Sequence, residues 1–216
     1  MPKSKAKRKS KSAGARREAS IPWGGQSGSR AHKGDRRINL ILAAVAIALV
    51  AAGVVYWAQT AQAERAFQAM VEQGQDRLAA AVASDPDRGR GHGAHGATYV
   101  YGVQFPTSGR HDPVPTAPGV YRVPLRPGQL VHALEHGNIV AYYDVPAEEA
   151  LETLKDWAGH YSGQWDGLVV APMEGLGGEV VLTAWTKRLH LLSFDAPLAA
   201  AFIDAYRGRG PENPVR

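Results

Sequence analysis

The chain contains no cysteine among its 216 residues. A protein without a thiol cannot form a disulfide, a thiolate metal site, an iron–sulfur cluster or a cysteine nucleophile. A lipoprotein anchor at a cysteine is excluded for the same reason. Any metal site in this chain must therefore use other ligands.

Charged residues are missing from residues 38–57, and the charge differs on the two sides of this gap. Residues 1–37 hold 12 basic and 2 acidic side chains, whereas residues 58–216 hold 13 basic and 18 acidic side chains. The overall net charge of +5 is thus a property of the first 37 residues. Because the remainder is acidic, we expect no nucleic-acid partner.

The uncharged segment Ile38–Trp57 is 20 residues long, and Asn39 is its one strongly polar residue. A helix of this length spans about 30 Å, which is the thickness of the bilayer's hydrocarbon core. Tyr56 and Trp57 are aromatic residues of the kind found at a membrane interface. The segment therefore predicts a transmembrane helix. The basic cluster before it places the N-terminus in the cytoplasm and the rest of the chain outside.

Two alternatives to an anchor follow from the same segment. A buried core helix would carry a polar face, which residues 38–57 lack. A cleaved signal peptide stays open, because Ala61-Gln62-Ala63 has the small-x-small pattern that a signal peptidase accepts. The apolar run is longer than the about 7–15 residues of a signal sequence, which favours an uncleaved anchor. The main domain is exported whether the segment is an uncleaved anchor or a cleaved signal peptide.

The segments around the membrane helix differ in composition. Residues 1–37 are rich in Lys, Ser and Gly and predict a disordered cytoplasmic tail that can contact anionic lipid. Residues 58–84 predict a helical stalk, whose apolar stripe either docks on its own domain or pairs with a second copy as a homodimer. Residues 85–97 predict a glycine-rich linker, and residues 98–212 an exported domain.

Mixed strand and helix patterns fill this domain, which predicts the α+β class. Alternating or apolar runs predict strands at Thr98–Gln104, Ile139–Asp144, Leu168–Pro172, Val180–Trp185 and Leu189–Phe194. Helical spacing predicts a helix over Val145–Tyr161 and a last helix that starts at Asp195.

Histidines cluster in the sequence Val131-His132-Ala133-Leu134-Glu135-His136-Gly137. On a helix, His132 and His136 share one face and can bind one ion, whereas on a strand they lie about 13 Å apart. A metal site here therefore requires a helical turn, and Gly137 is suited to end it. The alternative is that these histidines only satisfy backbone groups of the fold.

Further ligands can come from His111 and from either His92 or His95. Imidazole ligands without a thiolate suit zinc or copper. Glu135 would then orient a histidine from behind the ligands or act on a bound water. We expect structural roles for His160 and His190.

The string H-x-x-E-H also matches a metallopeptidase signature, in which two histidines bind zinc and the glutamate acts as the base. The signature needs a long helix and a further carboxylate, for which Glu174 and Glu179 are candidates only because they lie downstream. A metallohydrolase is thus the third hypothesis. The two hypotheses ranked before it involve no enzymatic activity, and we expect none.

The chain resembles the bacterial domain-of-unknown-function family three-one-zero-five over roughly residues 88–212. The resemblance rests on motifs in the segments Phe105–His111, Val131–Gly137, Ala184-Trp185 and Phe202–Glu212. Members of that family resemble single-pass membrane proteins with a basic N-terminus and an exported domain. Phe105 and Arg110 depart from the prolines of the family pattern.

The resemblance implies a shared histidine site formed by His92, His111, His132 and His136, with Glu135 between the last two. It therefore favours His92 over His95, and it implies no function. We expect an exported domain that binds copper or zinc and no organic cofactor. The competing hypothesis is a structural or interaction module of the cell envelope that needs no metal.

Overall fold

The structure is a computed structural model that describes residues 33–216, with side chains from Arg36 onward. Most of the expected cytoplasmic tail, residues 1–32, lies outside the described residues. Contacts divide the chain between Gly53 and Val54 into two units. The two units are therefore described separately.

The first long element is helix α1, which runs from Lys33 to Ala81 over 49 residues. Among the described residues, one helix is long and apolar enough to cross a membrane, and it is this one. Every residue of Ile38–Trp57 is exposed, so the segment is not a core helix. A candidate membrane span at this position is thus confirmed, although a signal sequence meets the same criteria.

Residues 54–216 contain a six-stranded sheet in the order β1-β6-β5-β3-β4-β2. Its central strand β3 pairs in parallel with β4 and antiparallel with β5. The strands are β1 Val82–Ser84, β2 Gly119–Val120, β3 Ile139–Tyr143, β4 Leu168–Pro172, β5 Val180–Ala184 and β6 Lys187–Leu191. The remaining helices are α2 Pro127–His136, α3 Glu148–His160 and α4 Ala196–Tyr206. The expected mixed α+β class is confirmed.

Apolar side chains cover both faces of the sheet, as the alternation along β3 shows. Ile139 and Ala141 belong to a core cluster shared with α1, α3 and α4. Val140 and Tyr142 point to the opposite face and join a second cluster with α2. Among the helices given above, α2 alone contributes to this second cluster, so its position is set by packing against β3 and β4.

Two segments differ from the sequence-based expectation. Thr98–Gln104 is not a strand. Val100 is 91% exposed, and the hydroxyls of Tyr99 and Tyr101 donate to backbone carbonyls of neighbouring loops. The alternation was therefore misleading, since no buried face supports it. Val82–Ser84 does not continue the stalk helix either, because it pairs with β6 as strand β1.

The apolar stripe of the stalk docks on its own domain. Phe67 is buried, and its ring contacts Trp157 edge-on at 5.4 Å between centroids and Tyr161 at 5.2 Å. Val71 is buried in the same cluster. A bidentate ion pair between Arg77 and Asp195, at the N-terminus of α4, holds the next turn of α1.

Gly74 lets α1 approach the first turn of α4. A Cβ atom at this position would overlap the backbone carbonyl of Pro197. Alanine is otherwise the better helix former by about 1 kcal/mol. Gly159 in helix α3 provides the matched case, because a Cβ there meets nothing within 4 Å.

We expect Gly74→Ala to lower the free energy of unfolding by about 1–3 kcal/mol, because the two backbones must separate. Gly159→Ala should raise it by up to about 1 kcal/mol. Urea unfolding of the full chain in detergent, followed by tryptophan fluorescence, measures both. A stabilising Gly74→Ala would show that α1 does not dock on α4.

Candidate metal centre

Helix α2 places three functional side chains at its C-terminal end. It spans ten residues and starts with a proline in its first turn. Gly137 ends it with φ of 101°, a left-handed conformation that glycine adopts at low cost. His132, Glu135 and His136 are all buried on this helix. The helical turn that a metal site required is therefore present.

Two loops bring further histidines to the same place. His92 and His111 form an isolated bridge between the loop after β1 and the loop before β2. The amide of Gly93 donates to the carbonyl of His111 at 2.8 Å, and the amide of His111 donates to the carbonyl of Gly91 at 3.0 Å. These backbone bonds fix the two imidazoles beside each other, with ring centroids 4.8 Å apart.

The first group of potential ligands, here called the inner set, consists of His92, His111, His132 and Glu135. One potential ligand atom of each residue lies within 4.8 Å of all the others. The Glu135 Oε2 atom lies 3.0 Å from the Nε2 atom of His111 and 3.6 Å from that of His92. These separations bracket the about 3.4 Å between neighbouring ligand atoms of a tetrahedral zinc site.

Hydrogen bonds from Nδ1 orient two of these imidazoles. His111 Nδ1 lies 2.8 Å from the carbonyl oxygen of Gly109, and His132 Nδ1 lies 2.7 Å from that of Asp112. A carbonyl oxygen only accepts, so Nδ1 must carry the proton in both rings. In the neutral rings, Nε2 then bears a free lone pair directed towards the inner set. Metal-binding histidines are oriented in the same way.

Two buried atoms of the inner set lack a hydrogen bond when His111 is neutral and Glu135 is ionised. His111 Nε2 and Glu135 Oε2 are buried without a hydrogen-bond partner. Burial lowers the pKa of the His111 and His132 imidazoles, which favours their neutral, metal-binding form. Burial, with repulsion from Glu212 as a smaller cause, raises the pKa of Glu135. A cation between these groups would relieve both the repulsion and the missing contacts.

A second group, here called the outer set, consists of His132, His136 and Glu212. Their potential ligand atoms also lie within 4.8 Å of one another. The Glu212 Oε2 atom lies 3.0 Å from His136 Nε2 and 3.8 Å from His132 Nε2. The His136 ring stacks on Trp165 with centroids 4.1 Å apart, which fixes its plane. His132 is thus common to both sets.

The structure distributes the predicted residues over these two sets. His92, His111 and His132 come together, whereas His136 faces Glu212 in the outer set. The carboxylate of Glu135, expected behind the ligands, lies among the potential ligand atoms.

His95 stands outside both sets. Its Nδ1 lies 2.8 Å from the Asp112 carboxylate, and its side chain is largely exposed. Burial raises the pKa of Asp112, but hydrogen bonds with His95 and from the amides of Gly96 and Val114 outweigh it and lower that pKa to about 2. His95 therefore supports the loop through its hydrogen bond with the Asp112 carboxylate.

Sequence reasoning missed Glu212 and Asp112. Glu212 lies in a Gly-Pro-Glu motif near the end of the chain, and no spacing rule connects it to the histidines. Asp112 follows His111 directly, but the backbone carbonyl that orients His132 leaves no trace in the sequence.

The downstream carboxylates considered for a peptidase lie elsewhere. Glu179 pairs with His190 at 2.6 Å, and Glu174 is exposed after β4. His160 is exposed at the end of α3. Among the described residues, Glu212 is the downstream carboxylate that faces His132 and His136.

A family model described as "Protein of unknown function (DUF3105)" matches residues 92–216, which is more than half of the chain. The chain belongs to this family. The expected resemblance is thereby confirmed, and the matched region contains every residue of the inner and outer sets. No match to this chain was found among curated proteins or among solved structures.

The close approach of His111 and Glu135 without a hydrogen bond can be tested in the metal-free protein. In Glu135→Gln the side-chain amide can donate a hydrogen bond to His111 Nε2. We therefore expect the free energy of unfolding of the metal-free protein to rise by about 1 kcal/mol at pH 7.5. The raised pKa of Glu135 means that its ionised carboxylate destabilises the native state at neutral pH; this destabilisation is lost as pH falls through the raised pKa and is absent below the ordinary value of about 4.5. The gain should therefore vanish in acid.

Urea unfolding of the full chain with a chelator, between pH 4 and pH 8, measures this difference. Glu72→Gln, an exposed change in the interior of helix α1, is the control and should be neutral. A pH-independent loss of stability in Glu135→Gln would contradict the assigned repulsion.

Proposed function

We propose that this chain is a single-pass membrane protein whose extracytoplasmic domain binds one zinc or copper(II) ion through His92, His111, His132 and Glu135. The observation that carries the proposal is the convergence of three imidazoles and one carboxylate within 4.8 Å. Two of the rings are held with a lone pair directed inward by backbone carbonyls. Such fixed ring orientation is what a metal site requires and a packing role does not.

The donor types narrow the ion. Three nitrogen ligands and one oxygen ligand suit zinc and copper(II). Calcium and magnesium prefer sites made of oxygen ligands alone. Copper(I) prefers thiolate and thioether ligands, and no methionine or cysteine belongs to the inner set.

Burial adds to the expected affinity. His111 is fully buried, and His132 and Glu135 are each 4% exposed. The three neutral imidazoles leave Glu135 as the one charged ligand when it is ionised, so a divalent ion would leave a net charge of +1. His92, with its side chain 47% exposed, provides the solvent-facing side of the site.

The direction of insertion follows from charge. The segment before the apolar helix holds 12 basic and 2 acidic residues, and loops of this kind stay in the cytoplasm. The domain with the histidines then lies outside, where it meets metal ions from the environment. We propose metal handling at the cell surface as the role of the protein.

Metal binding is tested on the full chain in detergent. After chelation and reloading at pH 7.5, we expect about one zinc or copper(II) ion per chain and a rise of several degrees in Tm, since an ion that binds only the native state stabilises it. His111→Gln and His132→Gln should no longer retain the ion through desalting and should lose the rise in Tm. His160→Gln, at an exposed histidine, should keep both.

A structural role for the histidines predicts a different result. The ligand variants would then lower Tm equally with and without metal, and the parent chain would retain no ion. That outcome would favour the envelope interaction module over the metal-binding domain.

Topology can be tested because the chain has no cysteine of its own. A membrane-impermeant maleimide should label Ser193→Cys, an exposed site on the domain, in intact cells. Ser12→Cys, in the basic N-terminal segment, should react only after the cells are broken. The opposite pattern would reverse the proposed orientation.

A further inference from the structure

The outer set contains an arrangement that the inner set does not need. Glu212 comes from the C-terminal segment after α4, and its carboxylate lies 3.0 Å from His136 Nε2. His136 is 4% exposed, and its Nδ1 atom is buried without a hydrogen-bond partner. A buried imidazole that faces a carboxylate and has no other partner is suited to bind a cation.

The backbone holds Glu212 in this place. The amide of Glu212 donates to the carbonyl of Glu135 at 3.3 Å, and Arg90 donates to the carbonyl of Pro211 at 3.0 Å. Gly210 lies so close to the end of α2 that a Cβ atom would overlap the backbone of Glu135 and Gly137. The C-terminal segment is therefore fixed against α2, with Glu212 directed at the histidines.

His132 cannot serve both sets at once. Its Nδ1 is engaged by the carbonyl of Asp112, so only one lone pair, on Nε2, remains for a metal. An ion in the inner set and an ion in the outer set would compete for that lone pair. The two sets are thus alternative positions for a single ion.

The exposure and the number of ligands indicate which of the two positions binds the ion more tightly. Glu212 has 39% of its side chain exposed, against 5% for Glu135. The outer set offers three ligands and leaves room for water, whereas the inner set offers four. An ion in the outer set is therefore held more weakly and exchanges faster with solvent.

From this geometry we infer that the outer set is an acquisition position, where His136 and Glu212 receive the ion from solvent before His132 passes it to the inner set. The inference rests on the proposed metal-binding function. It assigns to Glu212 the role of a transient ligand that speeds uptake and release.

The test uses the full chain in detergent, freed of metal and mixed rapidly with Co²⁺, whose visible absorption reports its ligands. In Glu212→Gln we expect association and dissociation to slow together by about tenfold, while the equilibrium Kd changes less than about threefold. Glu135→Gln should instead raise the Kd by at least about tenfold, because it removes a ligand of the final position. Glu174→Gln, at an exposed glutamate after β4, is the matched control and should change neither rate.

A second comparison isolates the outer set. His111→Gln removes the inner set but should keep weak, fast Co²⁺ binding, and the double variant with Glu212→Gln should lose it. Circular dichroism verifies that each variant is folded.

Three results would overturn the inference. Unchanged rates in Glu212→Gln would remove its role in uptake. A Kd raised as much as in Glu135→Gln, with faster release, would make both carboxylates ligands of one site. A parent chain that binds no ion would refute the metal-binding function itself. This failure is seen in the parent chain alone, whereas a failure of the present inference is seen only in the variants.

Discussion

A buried carboxylate oxygen of Glu135 lies 3.0 Å from Nε2 of His111, and this contact is unfavourable when the imidazole is neutral and the carboxylate ionised. Neither Glu135 Oε2 nor His111 Nε2 has a hydrogen-bond partner. Each such group costs about 1–3 kcal/mol, which apolar packing on both faces of the sheet must offset. A fold that needed only stability would gain by replacing the pair with apolar residues. The pair is therefore consistent with the proposed metal site, in which an ion would bind between the two groups.

Ligands from distant segments meet here because one residue connects them. The Asp112 carboxylate accepts hydrogen bonds from the amides of Gly96 and Val114, while its backbone carbonyl orients His132 on α2. The loop that carries His92, the loop that carries His111 and the helix are thereby held together without metal. An ion across them would add a cross-link between parts of the chain that are far apart in sequence, so binding and stability are coupled.

The sequence predicted the parts of the fold that depend on local periodicity. The strands at Leu168–Pro172 and Ile139–Tyr143 and helix α3 follow from such patterns. The pattern around His132 and His136 leaves helix and strand open, and a helical turn there is only a requirement of the metal hypothesis. Thr98–Gln104 shows the limit, because an alternating pattern does not say whether a partner strand exists. Glu212 shows another limit, since its approach to α2 depends on tertiary packing of the C-terminal segment. Five of the six residues in the two sets could be named from sequence and resemblance, but Glu212 and the division into two sets could not.

The ligand chemistry agrees with a domain outside the cytoplasm. Thiolate ligands are oxidised in such compartments, whereas imidazole and carboxylate ligands are not. A metal site in a chain without cysteine would therefore need no reducing system in such a compartment. Imidazole ligands introduce a different sensitivity, because protons compete for the same lone pairs. Burial of His111 and His132 lowers their pKa values and so moves that competition to more acidic conditions. The proposed metal site would thus combine resistance to oxidation with resistance to mild acid, and both properties suit the extracytoplasmic location proposed for it.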